Sequence, residues 1–152
     1  NVFERNVILP FEGVNMWDDV GLCTRVRFYT RGTAVINKGF YHYNRQNEQS
    51  TTRRPLLERA REQELCISCI EDFFRKEDSH DKYRLFLSYL RLVAAEDLFY
   101  YEPDIWRQKF EGLKDDLWKL RKLYTTKQLF KFYMLGCGGI IGKLVWKRFW
   151  KR

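Results

Sequence analysis

The sequence has few of the residues that most enzymes and metalloproteins use for chemistry. It contains two histidines and four cysteines in 152 residues. It lacks a P-loop, a dinucleotide-binding glycine pattern and an HExxH zinc motif. The cysteines are also too sparse and too irregularly spaced for a disulfide-stabilised secreted domain. We therefore expect no enzymatic activity, no cofactor, no metal and no small-molecule substrate.

Cys66 and Cys69 form a CxxC, the only closely spaced cysteine pair. A redox CxxC follows a strand and begins a helix, where the thiol pKa is lowered. This pair instead lies in the middle of a predicted helix among acidic neighbours. A zinc site needs about two more ligands, and Cys23, His42 and His80 have no paired spacing. We predict buried structural cysteines, with a metal site or a disulfide as the alternatives.

Acidic residues are missing from the C-terminal segment. No Asp or Glu follows Asp116, whereas ten Lys and Arg residues do. This leaves 18 of the 28 basic residues to oppose all 20 acidic ones in residues 1–116. The net charge of +8 is therefore concentrated at one end of the chain. A segment of this kind favours an anionic partner, either lipid headgroups or nucleic acid.

The middle of the chain has the periodicity of amphipathic helices. The first helix is predicted from about Pro55 to Lys76, with the second beginning after Asp78 or Ser79. Pro103 ends the second helix, because proline disfavours helical geometry before it and lacks an N–H donor. A third helix follows, with apolar residues at a 4-3-4-3-4 spacing. These residues are Trp106, Phe110, Leu113, Leu117, Leu120 and Tyr124. The protein is therefore predicted to be mainly α, with residues 51–125 forming a small antiparallel bundle of about three helices.

Residues 1–50 are predicted to form an irregular arm. Within it, residues 22–30 alternate with period two and are rich in β-formers, and 33–36 offer a second run after Arg31 and Gly32. A short β-hairpin is the interpretation of this pattern. A short helix, or an extended segment lying on a partner, is the alternative.

Residues 126–152 are predicted to form a basic, glycine-containing helix that spans or enters a membrane. Residues 129–146 would extend about 27 Å as a helix, close to the hydrocarbon thickness of a bilayer. Gly138 and Gly142 form a GxxxG pair that allows close packing against a neighbouring membrane helix. An ordinary core helix and a helix lying flat on the membrane surface are the alternatives. The residues predicted at the membrane interface are Lys131, Lys143, Trp146, Lys147, Arg148 and Trp150.

These features predict a non-catalytic accessory subunit of a multi-subunit membrane complex. The expected partners are other subunits of the complex and a bilayer with anionic headgroups. The mitochondrial inner membrane, with a complex of the respiratory-chain or ATP synthase type, is the expected location. The chain begins with Asn1 instead of Met, as in a processed organelle protein or a trimmed form of a longer chain. The alternative is an RNA-binding structural protein of an organellar ribosome, with the basic tail on RNA. In that case Arg25, Arg27, Arg31, Arg53 and Arg54 would contribute to the interface.

Overall fold

The computed structural model describes residues 2–6, 8–39, 55–101, 108, 111–137 and 144. Within these residues the protein is mainly helical and forms no β-strand. The chain divides into two units, Asn1–Ile70 and Glu71–Arg152. The predicted mainly α class is confirmed.

The first unit contains α1 (Val2–Asn6), α2 (Asp18–Tyr29) and most of α3 (Leu56–Lys76). Gly21 of α2 lies so close to the Phe11 ring that an added Cβ atom would come within 2.8 Å of it. The same position faces the sulfur of Cys66, which is on α3. A side chain at position 21 would therefore disturb the packing of this unit. Its buried apolar residues include Ile8, Val14, Met16, Ala60, Cys66, Ile67 and Ile70.

The predicted hairpin is wrong, because α2 occupies residues 18–29. Asp18 and Asp19 lie in its first turn, where carboxylates interact favourably with the helix dipole. Gly21 and Arg25, four residues apart, are its buried residues. Packing of that face outweighs the local preference of Thr and Val for strands. The arm is also not wholly irregular, since α1 forms near its start.

The second unit contains the end of α3, then α4 (His80–Tyr101), α5 (Lys114–Lys119), a 3₁₀ turn (Arg121–Leu123) and α6 (Thr126–Cys137). The predicted first and second helices are confirmed as α3 and α4. A Schellman motif ends α3: Asp78 has a φ of 48°, and the N–H of Ser79 donates to the carbonyl oxygen of Phe74 at 2.8 Å. The buried apolar residues of this unit include Phe74, Leu87, Leu90, Leu92, Ala94, Leu113, Leu117, Leu120 and Phe132.

The predicted continuous third helix is wrong. Residues 112 and 113 form a turn, α5 begins at Lys114, and the chain then tightens into the 3₁₀ turn. Glycine at position 112 has a low helix propensity, which favours a break there. Leu113, Leu117 and Leu120 are buried as predicted. Trp106 and Phe110, which belong to the same pattern, lie outside the described residues.

The C-terminal helix begins where the sequence predicts. Thr125 and Gln128 form a capping box: the Thr125 N–H donates to Gln128 Oε1 at 2.9 Å, and the Gln128 N–H donates to Thr125 Oγ1 at 3.3 Å. In the part of the chain that the structure describes, no helix has both the length and the apolar character needed to cross a bilayer. Residues 138–143 and 145–152 lie outside that part, so the predicted membrane helix stays a prediction there.

Candidate functional site

The surface of residues 118–133 combines exposed cations with exposed apolar side chains, and we call it the basic-aromatic surface. Its cations Lys119, Arg121, Lys122 and Lys127 are exposed. Trp118 is 60% exposed, Leu123 66% and Phe130 54%. These three large, exposed apolar side chains lie within 13 residues of one another. They belong to the part of the chain after Asp116, which contains no carboxylate side chain. Such a cluster of exposed apolar residues is typical of an interaction site.

Buried residues interleaved with the exposed ones hold this surface in place. Leu117 and Leu120 are buried in the unit, as is Phe132 of α6. Tyr124 joins the two parts, with its ring centroid 5.3 Å from that of Phe132 and 6.0 Å from that of Tyr89 on α4. Because these contacts direct one set of side chains inward, the alternating set stays at the surface.

Trp118 is further fixed by Arg121. The Arg121 guanidinium carbon lies 4.7 Å from the centre of the indole ring, and its Nη1 donates to the Trp118 carbonyl oxygen at 2.8 Å. This cation–π contact orders an exposed indole that would otherwise sample several rotamers. The surface therefore presents an ordered aromatic ring next to a charge.

On α6 three of the exposed residues form a stripe. Lys127, Phe130 and Tyr133 follow one another at intervals of three, which places them on neighbouring positions of one helix face. All three are exposed, whereas Phe132 is buried. The stripe continues the basic-aromatic character of residues 118–123 onto a regular helix. An amphipathic helix with Lys and aromatic residues on its outer side is typical of contact with a membrane surface.

Most of the sequence-predicted membrane residues lie outside the described residues. Lys131 belongs to α6, but its side chain is not described. The others lie beyond the described part of that helix: Gly138, Gly142, Lys143, Trp146, Lys147, Arg148 and Trp150. Sequence periodicity alone did not identify the exposed Trp118, Leu123 and Phe130. Trp118 lies one residue off the apolar spacing of the predicted third helix, a signal that marks it as outward-facing.

The CxxC lies in the middle of α3, as predicted. Cys66 is buried and its thiol donates to the carbonyl oxygen of Trp17 at 3.2 Å, while Cys69 is half-buried. Neither forms a disulfide. Burial, reinforced by the nearby Cys69, raises the pKa of the Cys66 thiol to about 11. Cys66 is therefore a protonated packing residue at neutral pH. In the described ranges no three His, Cys, Asp or Glu side chains are arranged to hold a metal ion.

Two carboxylates, Asp116 and Glu71, are internal ties that join helices of the second unit. Asp116 is only 2% exposed and accepts hydrogen bonds from Ser88 Oγ and Arg84 Nη1, each at 2.7 Å. Lys119 Nζ lies 3.6 Å from its other oxygen. Asp116 lies on the inner side of the short helix α5, whereas the adjacent Asp115 is exposed.

Glu71 is the second tie. It contacts Arg75 at 2.8 Å, His80 Nε2 at 3.1 Å and Arg91 at 2.5 Å. Burial by itself would raise the pKa of Glu71, but Arg91, His80 and Arg75 outweigh it, so the pKa lies below its usual value. His80 is the first residue of α4, so its contact with Glu71 joins the start of α4 to the end of α3. Both clusters join helices of this unit to one another.

Of the five arginines predicted to contribute to an RNA interface, the structure describes Arg25, Arg27 and Arg31, and Arg27 is exposed. Arg25 is buried, donates from Nε to the Gly21 carbonyl oxygen at 3.2 Å and lies 3.8 Å over the Phe11 ring. Burial lowers the pKa of its guanidinium. Arg31 is exposed and lines an open depression of about 590 Å³. Arg53 and Arg54 lie outside the described residues. The contribution predicted for Arg25 is therefore wrong.

Comparisons of the chain with protein-family models, with curated proteins and with solved structures found no match in any of the three.

Proposed function

We propose that this protein is a non-catalytic, membrane-associated subunit that binds an anionic bilayer through its basic-aromatic surface and the C-terminal residues that follow. The observation that carries the proposal is the exposure of Trp118, Leu123 and Phe130 among Lys and Arg side chains. The proposal includes insertion of residues 126–152 into the bilayer, with the Gly138–Gly142 pair against a neighbouring helix. A multi-subunit complex of the mitochondrial inner membrane is the proposed location.

Charge supplies the long-range attraction. Each Lys or Arg near an anionic leaflet contributes about 1 kcal/mol to binding. Arg121, Lys122 and Lys127 are exposed in a segment that carries no acidic residue after Asp116. Electrostatic attraction alone is released by salt, because exposed charges are screened over about 10 Å at 0.1 M ionic strength.

The apolar side chains supply the part that salt does not release. Aromatic and leucine side chains enter the boundary between headgroups and acyl chains, where the hydrophobic effect favours their burial. Trp is well suited to this position, since its ring is apolar and its N–H remains hydrated. RNA would satisfy the charges and stack on the rings, but it offers no apolar phase for Leu123.

A structural role fits the engaged ionisable groups of the second unit. Glu71 and Asp116, its partly and fully buried carboxylates, are each held by basic side chains of the same unit. A carboxylate engaged in this way fixes helices to one another.

Vesicle flotation tests the proposal. The full chain is mixed with vesicles of phosphatidylcholine alone or of phosphatidylcholine with cardiolipin, beside the triple variant Arg121→Gln, Lys122→Gln, Lys127→Gln. Loss of three charges is expected to weaken binding to anionic vesicles about 100-fold, at about 1 kcal/mol for each charge. The matched control is Lys76→Gln with Lys82→Gln, two exposed cations outside the surface, which is expected to bind nearly as wild type.

A second variant, Leu123→Ser with Phe130→Ser, separates insertion from electrostatics. It is expected to bind anionic vesicles at low salt and to be released by high salt, whereas the wild type stays bound. Equal binding of all variants to both vesicle types contradicts the proposal. Binding to RNA but not to vesicles, lost in the triple variant, establishes the RNA-binding alternative instead.

Extraction of native membranes tests insertion of the C-terminal residues. The full chain and a chain ending at Tyr124 are washed with alkaline carbonate and then with high salt. Retention of the full chain through both washes, with release of the shorter one, is the expected result. Release of the full chain by high salt alone shows an electrostatic contact without insertion.

A further inference from the structure

An open depression of the first unit lies at the C-terminal ends of α1 and α2, and we call it the Arg5–Arg31 depression. Its volume is about 590 Å³, which is within the range of small-molecule binding sites. Its lining comes from the end of α1, the end of α2 and the bend that follows: Arg5, Asn6, Tyr29, Thr30, Arg31 and Gly32. The depression therefore combines hydrogen-bonding side chains with two positive charges.

The guanidinium groups of Arg5 and Arg31 have no acceptor in the described part of the chain. Both residues are exposed, and there neither forms an ion pair with a carboxylate or donates to a carbonyl oxygen. An acceptor within the protein is present, by contrast, for Arg25, Arg75, Arg84 and Arg91. Each guanidinium carries five N–H donors in a planar fork and stays charged in proteins. Two such forks at one depression take their acceptors from water or from an anionic ligand.

The chain around the depression adds positive charge and little negative charge. Between Asp19 and Glu48 the sequence contains five Lys and Arg residues and no Asp or Glu. Asp19 lies in the first turn of α2, about 15 Å along the helix from its last residue. That distance exceeds the screening length of about 10 Å at 0.1 M ionic strength. Glu4, the acidic residue of α1, is not among the lining residues. An anion in the depression would thus meet no close carboxylate from its lining.

Hydrogen bonds hold the backbone on both sides of Arg31. The Thr30 N–H donates to the Val26 carbonyl oxygen at 3.1 Å, and Thr30 Oγ1 donates to the Arg27 carbonyl oxygen at 3.1 Å. Arg27 Nη1 in turn donates to Thr33 Oγ1 at 3.3 Å. The bend therefore lies between two threonines that are tied to α2. A backbone that is already ordered loses less conformational freedom when a ligand binds.

Two arginine forks match a phosphate monoester better than other common anions. A phosphate monoester carries nearly two negative charges at pH 7 and has three strong acceptor oxygens, so both guanidinium groups can donate to it. A carboxylate has one charge and two oxygens, which a single fork satisfies. The phosphodiesters of RNA and of most phospholipids also carry one charge each.

We propose that the Arg5–Arg31 depression binds a phosphate monoester group between its two arginines. Two sources carry this group: a soluble phosphorylated metabolite, and phosphatidic acid in a bilayer. The site shares no residue with the basic-aromatic surface, so its failure would leave the binding of that surface to anionic lipid unchanged.

Isothermal titration calorimetry of the full chain in a non-ionic detergent, with glycerol phosphate as the probe, tests the site. Saturable binding is expected, and the diester glycerophosphocholine is expected to bind at least about tenfold more weakly. Arg5→Gln and Arg31→Gln are each expected to weaken binding of the monoester at least about tenfold, because each removes charge-assisted hydrogen bonds. Circular dichroism checks that the helical content is kept.

Two further sets of variants separate a built site from general charge. Lys38→Gln is the matched control, since it removes one exposed cation of the same unit outside the lining, and it is expected to change affinity less than about twofold. Arg5→Lys and Arg31→Lys keep the charge without the fork and are expected to fall between wild type and the Gln variants.

Vesicle flotation distinguishes the two sources. The chain carries the triple substitution of the basic-aromatic surface, and phosphatidylcholine vesicles with phosphatidic acid are compared with vesicles containing the diester phosphatidylglycerol. A preference for phosphatidic acid that disappears in Arg5→Gln with Arg31→Gln supports the proposal with lipid as the source. Calorimetric binding of glycerol phosphate without that preference supports it with a soluble metabolite. Absence of both, equal binding of monoester and diester, or an equal loss in Lys38→Gln overturns the proposal.

Discussion

Replacing Asp116 by Ala is expected to destabilise the second unit, and the size of the effect follows from its partners. Ser88 Oγ, itself buried, loses the acceptor at 2.7 Å and gains no water in exchange. An unsatisfied buried hydroxyl costs about 1–3 kcal/mol. Arg84 is 47% exposed and is rehydrated when the carboxylate is removed, so the lost ion pair adds only about 0–1 kcal/mol. The expected loss in the free energy of unfolding is about 2–3 kcal/mol.

Urea unfolding followed by circular dichroism measures this loss. Asp115→Ala is the matched control, because Asp115 precedes Asp116 in the first turn of α5 and is exposed. Its effect is expected to stay within about 0.5 kcal/mol. Combining Asp116→Ala with Ser88→Ala is expected to cost less than the sum of the two single changes, since the orphaned hydroxyl disappears with its partner. Equal stability of the Asp115 and Asp116 variants, or strict additivity in the double variant, would refute the reasoning.

Three further predictions concern packing, reactivity and pH. Gly21→Ala is expected to destabilise by about 1–3 kcal/mol through overpacking against the nearby aromatic ring, whereas Gly32→Ala, with open space around it, is expected to change the urea midpoint little. Maleimide is expected to label the exposed Cys23 in the native protein and to label Cys66 only after unfolding. Cys66 is buried, and its pKa of about 11 keeps its thiol protonated and unreactive. Rapid labelling of Cys66 in the native protein would contradict its burial. The stability difference between wild type and Glu71→Gln is expected to have its full size above about pH 5. It is expected to shrink as the pH falls through the lowered folded-state pKa of Glu71, because the carboxyl group stabilises the fold only while it is ionised. A difference that persists at acid pH would show a steric effect of the substitution.

The helices with long, regular apolar spacing were predictable, because burial of one face selects that spacing. Residues 55–76 and the helix after Ser79 appear nearly where the pattern places them. The start of the C-terminal helix was also predictable, since a Thr with Gln three residues later is a local capping signal that acts without tertiary contacts.

Residues 18–29 and 112–113 were not predictable in the same way. A period-two pattern of β-formers became α2, because the inward face of this segment is set by Gly21 and Arg25, small and charged residues that no hydrophobic pattern marks. The break at Gly112 divides a regular apolar spacing that local periodicity reads as one helix. In both places packing decided between conformations of similar local preference.

The sequence by itself determined the helical class, the absence of carboxylates after Asp116 and the concentration of positive charge there, since these depend only on composition and order. Tertiary structure decided which side chains of that region face water. It placed Leu117, Leu120 and Phe132 inside and left Trp118, Leu123 and Phe130 outside beside the cations. It also buried Asp116 while exposing Asp115. The reason is that exposure depends on the helices that cover a residue, and those helices come from distant parts of the chain.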